Sequence, residues 1–214
     1  MKLEEVVNLI FTALKHFKII LIHKFWVAYY CFRVGLYWQG IVHDLSKFSL
    51  EEFLESIKYY SGTDSPINAA KKDKGYSLAW LHHRGRNKHH YLYWVDELDA
   101  EKQVLVVMPF KYAVEMICDF LAAGRAYQKD KFTYNNEYKW WCNYVKDLPH
   151  MKMHPIIHRF VSCILYYLTI YEDDKVLNID FLKYIYDVEI RKYEYYVEKG
   201  ELGYYYDKIL KRDI

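Results

Sequence analysis

The chain has 214 residues, 30 of them basic and 28 acidic, for a formal charge of +2. That length accommodates a domain with a real core, and so small a charge gives no electrostatic argument for nucleic acid. An aromatic content of 19% excludes a disordered chain, and the 24 tyrosines make much of the apolar content amphipathic. Cys31, Cys118, Cys142 and Cys163 are widely spaced and form no CxxC or CxxH pattern. They read as free thiols in a reducing compartment, and a cytoplasmic location is expected.

Helices are predicted nearly everywhere. Val6, Val7, Ile10, Phe11 and Leu14 stand at helical spacing over residues 3–16, and Glu4 and Glu5 interrupt any signal-like start. A second helix is expected over 19–37, broken by Gly40. Its apolar stretch contains His23, Lys24, Arg33 and Gln39, which are costly in lipid. It therefore reads as a buried helix, with no membrane span. Ser49-Leu-Glu-Glu52 is a capping box opening a helix to about residue 60, and 61–66 is a loop. The pattern continues as a helix over 67–83 with Gly85 at its exit, then an extended connector over 104–108 closed by Pro109. Further helices are expected over 110–127, 136–145, 155–171, 179–198 and 202–211. The expected organisation is a helical domain over 1–147 and a C-terminal helical extension over 148–214, packed on the same core.

The histidines carry the chemistry. Six of the ten lie between His23 and His90, four of them in the nonapeptide His82-His-Arg-Gly-Arg-Asn-Lys-His-His90. Imidazole suits Zn, Fe, Ni, Co and Mn, and neighbouring carboxylates favour hydrolytic metals. Asp44 follows His43 directly, and Asp119 lies in a predicted helix with Glu115 one turn before it. Each motif has a plainer reading: His23 as a core histidine, the His pairs as polar helix ends, Glu115 and Asp119 as a solvated face. His154 and His158, one turn apart, lack carboxylates in register and read as packing residues.

A lone helical His23, the dipeptide His43-Asp44, the later His82–His90 cluster and a helical Asp119 together resemble the HD superfamily of metal-dependent phosphohydrolases. The segment His43-Asp-Leu-Ser-Lys47 also matches that superfamily's habit of placing a Lys three residues after the Asp. More narrowly, HDLSKFSLEEF, AWLHHRGRNKHHYLYW and MPFKYAVEMICDF resemble an uncharacterised family of bacterial and phage proteins, over residues 20–127. The superfamily resemblance implies an all-α, HD-like orthogonal helical bundle with added C-terminal helices.

It further implies one or two divalent ions (Fe, Mn, Zn, Ni or Co) held by His23, His43, Asp44, His83, His90 and Asp119, with His82, His89 and Glu115 as alternates. Adjacent residues on a helix point about 100° apart, so one ring of each pair is expected to ligate, although at a helix end both can. Asp44, able to bridge two ions, and Lys47 are the expected catalytic residues. Arg84, Arg86, Asn87 and Lys88 are expected to bind a small phosphorylated, nucleotide-like substrate. Two other classes stay open: a metal-containing binding module without turnover, and a helical diiron redox protein, for which the ExxH repeats are lacking.

Overall fold

Nothing around residues 17 and 18 breaks a helix, and the two helices expected at the N-terminus are one: α1, Leu3–Arg33. A computed structural model describes residues 2–62, 65–99, 102–146 and 152–205. The exit from α1 is at Gly35, whose φ of +74° is left-handed backbone that favours glycine. Gly40, expected as the breaker, instead lies inside α2, Tyr37–Val42. A Cβ there would sit 2.9 Å from the Phe32 ring and 3.1 Å from the Ala28 backbone. Gly40 thus serves close approach of α2 to α1.

The fold is all-α. Helix α1 is buried on one face only, through His16, Ile20, His23, Val27, Tyr30 and Cys31. Leu21, Phe25, Tyr29 and Phe32 on the other face are exposed, which corrects the expectation of a buried helix. By length and composition alone, α1 is apolar enough to cross a membrane. Its buried face packs on α6, Phe110–Gln128, where Arg125 Nε donates to Tyr30 OH at 3.0 Å.

Between them, α3 (Leu50–Tyr59) begins at Ser49, whose Oγ accepts from Glu52 N at 3.3 Å. The helix expected over 67–83 is two helices, α4 (Pro66–Lys74) and α5 (Leu78–Arg86). Gly75, at φ +80°, ends the first, and Ser77 Oγ, accepting from Trp80 N at 3.1 Å, starts the second. Gly85, expected as an exit, lies within α5.

Residues read as an extended connector include a true strand. β1, Val95–Glu97, pairs antiparallel with β2, Gln103–Leu105, with Asp96 opposite Val104. The C-terminal part comprises α7 (Tyr134–Lys146), α8 (Pro155–Ile170), α9 (Asp173–Val176), α10 (Ile179–Glu198) and α11 (Leu202–Tyr204). Most of the helix expected over 202–211 lies outside the described residues, as does the expected boundary at 147/148. Val27, Leu121, Trp141, Phe160 and Leu182 belong to one apolar cluster, so helices on both sides of that point share a core. Tyr186 OH donates to Met108 O at 2.6 Å and holds the entry to α6. His154 caps α8, accepting from Ile156 N at 3.3 Å, and the buried His158 packs near Trp141.

The α6–α7 contact fixes the far end of α6. A Cβ at Gly124 would collide with the Glu137 carboxylate, which accepts from Gln128 and is only 4% exposed. Burial pushes the Glu137 carboxyl up to about 7. Between the ordinary carboxyl value of 4.5 and about 7 the folded state therefore holds a proton that the unfolded state has lost. Stability should fall as pH rises through that window and level off above it. Glu137→Gln is expected to remove this slope: equal melting temperature near pH 4, higher than wild type at pH 8. Thermal melts across that range check it; parallel curves would contradict it.

Candidate metal centre

Four segments meet at one buried point. α1 supplies His23; the turn after α2 supplies His43 and Asp44; α5 and the segment after it supply His83, His89 and His90; α6 supplies Glu115 and Asp119. Lys24, next to His23, donates to the carbonyls of Ile41 and His43 at 2.6 and 2.9 Å, so α1 holds the His-Asp turn in place. Asp44 itself is left-handed, at φ 53° and ψ 30°. That conformation costs a non-glycine residue about 1 kcal/mol, least for Asp and Asn. Its side chain caps no helix.

Asp44 is 3% exposed and presents its two oxygens to different neighbours. Oδ2 lies 3.3 Å from His43 Nε2 and 3.9 Å from His23 Nε2, and Oδ1 lies 3.4 Å from both His83 Nε2 and His89 Nε2. Asp119 Oδ1 closes the first group, 3.0 Å from His23 Nε2 and 3.3 Å from His43 Nε2. Two ligand sets result, sharing Asp44: His23, His43, Asp44 and Asp119, and Asp44, His83, His89 and His90. In each, the donor atoms lie within 4.8 Å of one another.

The rings are aimed from behind. His43 Nδ1 donates to Glu115 Oε1 at 2.9 Å, because a carboxylate can only accept, and this turns Nε2 toward Asp44. His89 Nδ1 lies 3.3 Å from the same oxygen. Glu52 does the same for the second set, taking His83 Nδ1 at 2.8 Å and His82 Nδ1 at 2.7 Å on its two oxygens. Ser46 Oγ and Asn87 Nδ2 also lie against His83 Nδ1, at 3.2 and 3.1 Å.

The buried charges of the centre act strongly on one another. Burial would raise the Asp44 carboxyl, yet His43, His83 and Lys47 hold it well below the ordinary value. Asp119, half-buried beside it, is lowered well below the ordinary value by His23 and His43. Burial would lower His43, but Asp44, Asp119 and Glu115 raise it well above the usual imidazole range, whereas burial lowers His23 and His90. Lys47, 2.7 Å from Asp44 Oδ2, is driven upward by that carboxylate and by Asp119 against its burial. Meanwhile Nε2 of His43, His89 and His90 and Oδ1 of Asp44 are buried without a hydrogen-bond partner among the described residues. Unpaired buried donors and acceptors are costly, and one or two divalent ions would satisfy these. The donor set fits a metal.

Residues 12–165 match the model of a family described as a family of unknown function, DUF5662. The chain belongs to that family. No curated protein and no solved structure matches it.

Of the residues expected from sequence, the structure brings His23, His43, Asp44, His83, His90 and Asp119 together. It adds His89, because α5 ends at Arg86 and the segment 87–90 is not helical, so both rings of the second pair turn inward. His82 and Glu115 stand behind the ligands. Arg84, Arg86, Asn87 and Lys88 line no part of the cavity that opens on the centre. Arg86 and Lys88 are exposed, and Asn87 donates to His83 O and Ser46 Oγ at 2.8 Å, bracing a histidine.

Glu52 was hidden in plain view. At the third position of a capping box its carboxylate was expected to return to the Ser49 backbone, and it bonds two histidines instead. Glu52→Ala should weaken metal affinity by about 10- to 100-fold, since it frees the ring of His83 to rotate. Competition of the purified protein against a calibrated chelator measures this; unchanged affinity would leave Glu52 as a helix-terminal residue only.

Proposed function

We propose that this chain is a metal-dependent phosphohydrolase of the HD type, acting on a nucleotide or related phosphoester. The reading is supported by the chain order of the clustered residues together with the HD-superfamily resemblance. One observation carries it furthest: a buried Asp44 whose two oxygens face separate histidine groups while Lys47 pairs with it from the cavity side. His23, His43, Asp44 and Asp119 would hold one divalent ion, and Asp44, His83, His89 and His90 a second. Such a centre supplies hydroxide at neutral pH by lowering the pKa of bound water.

The protein's own contributions are positional and electrostatic. Glu115 and Glu52 keep the imidazoles in one tautomer and orientation. Lys47 cannot ligate a cation, but its ammonium can stabilise charge developing on phosphate oxygens. The apolar cavity wall raises the strength of these interactions by keeping bulk water away.

Protein purified without chelator or His tag should contain at least one transition-metal equivalent per chain by elemental analysis. It should release phosphate from at least one member of a broad phosphoester panel. Metal that stays sub-stoichiometric after reconstitution would overturn the centre. Full metal with no turnover above a chelated control would overturn the phosphohydrolase and favour a binding module.

A further inference from the structure

Helix α1 carries more apolar surface than the core uses. Leu3, Val7, Ile10, Leu14, Phe17 and Leu21 follow one another at spacings of four, three, four, three and four residues. That is the heptad repeat by which helices pack along their length. At 100° per residue, this seam lies roughly 120° around the helix from the buried face of His16, Ile20 and His23. Its six side chains and the adjoining Phe11 are between 40% and 80% exposed. Beyond the seam α2 takes over, with Gly40 against Ala28 and Phe32. At the other end no described residue before His16 is buried, so about three turns of α1 stand clear of the body.

A second copy of the same helix fits the seam in area and in charge. Half of seven large side chains, at about 150 Å² each, is about 500 Å². Two such faces together bury about 1,000 Å², the size at which specific interfaces begin. Phe48, itself exposed and 5.7 Å from the Phe17 ring, extends the same surface. Glu4 and Lys18 directly follow the seam residues Leu3 and Phe17, and so flank it on one side. Both are exposed, and neither has an ion-pair partner among the described residues. In an antiparallel pair with Leu3 over Leu21, Val7 over Phe17 and Ile10 over Leu14, Glu4 of each copy faces Lys18 of the other. Phe11 then meets its own copy at the two-fold axis. A parallel pair sets Lys18 beside Ala13 and makes no such ion pair. A lipid surface matches less well, because helices lying on anionic lipid carry a basic polar face, and here Glu4 and Glu5 stand among Lys2, Lys15 and Lys18. Nor can α1 cross a bilayer without withdrawing His23 from the metal centre.

We propose that the chain forms a two-fold symmetric dimer through an antiparallel coiled coil of residues 3–21 of α1. The two bodies lie at opposite ends of the paired helices. Each α1 keeps its inner face on α6, so both metal centres stay outside the interface.

Sedimentation equilibrium on the full chain should show a dimer with a dissociation constant in the micromolar range or tighter. Leu14→Glu places a carboxylate in the seam at a position exposed in the single chain. It should weaken dimerisation by more than about a hundredfold while cooperative thermal unfolding is retained. Glu4→Lys and Lys18→Glu should each weaken it about tenfold, and the double variant should regain most of the loss, because opposite charges face each other again. A chain that is monomeric at every concentration would overturn the dimer, and its sedimentation with phosphatidylserine-containing vesicles would assign the seam to lipid. A dimer untouched by Leu14→Glu would move the contact to another face and overturn the proposal. A double variant no better than the single ones would overturn the antiparallel register.

Discussion

Asp44→Ala is expected to abolish metal binding and turnover together. Asp44 is the residue common to both ligand sets and the carboxylate against which Lys47 is paired. Without it the first set keeps His23, His43 and Asp119, and the second is reduced to three imidazoles. Affinity should fall by more than about a hundredfold, beyond the loss typical of a residue that merely orients a ligand. In the metal-free protein the substitution also removes the carboxylate that pairs with the half-buried Lys47 ammonium, so the melting temperature is expected to fall as well. Asp44→Asn separates the loss of charge from the loss of shape. Asn tolerates the left-handed backbone and preserves shape, yet brings no charge. Metal content, melting temperature and phosphate release on both variants decide the matter. An Asp44→Asn protein with full metal and wild-type turnover would remove the centre of the proposal.

Lys47→Ala should show the opposite division, with metal retained and turnover reduced by about a hundredfold. Its ammonium lies 2.7 Å from Asp44 Oδ2 and faces the cavity where a phosphoryl group would lie. Loss of one transition-state contact of this kind is worth about 3 kcal/mol. Once a divalent ion neutralises Asp44, that carboxylate no longer depends on Lys47, and the ammonium is available to substrate. The loss should therefore appear in kcat more than in KM. Wild-type kcat in a metal-replete Lys47→Ala protein would confine Lys47 to a structural ion pair.

The helices that the sequence revealed most clearly were those with a long apolar stripe bounded by a strong stop. Helix α6 follows Pro109, and α10 begins where Asn178 accepts from two backbone amides. Glycines misled because their sequence context does not disclose their use. Gly40 is needed for contact with Phe32 and Ala28, whereas Gly35 and Gly75 are needed for left-handed backbone. The β1–β2 hairpin was half visible, since Val104 and Leu105 signal a strand and Val95–Glu97 does not. At the centre, residue types and their chain order exposed His23, His43, Asp44 and Asp119. That both His89 and His90 turn inward depends on where α5 ends, and helix ends are poorly fixed by local pattern. Glu52 escaped because a tertiary contact took over a side chain whose local motif already had an explanation.

The centre also has a consequence for the order in which the chain must assemble. Its ligands come from α1, the turn after α2, the end of α5 and the middle of α6, so no short stretch contains a complete set. A nascent or unfolded chain can offer at most neighbouring ligands, such as His43 with Asp44 or His89 with His90, without the Glu115 and Glu52 carboxylates that orient the rings. Closing such long loops is slow and entropically costly before the core forms. Glu115 and Glu52 already hold His43 and His83 through hydrogen bonds, and His89 Nδ1 lies 3.3 Å from Glu115 Oε1, so their rings can be set by protein contacts alone. Metal capture should thus be a late event on a folded scaffold, and refolding under chelator should regain secondary structure at the same rate as refolding with metal present.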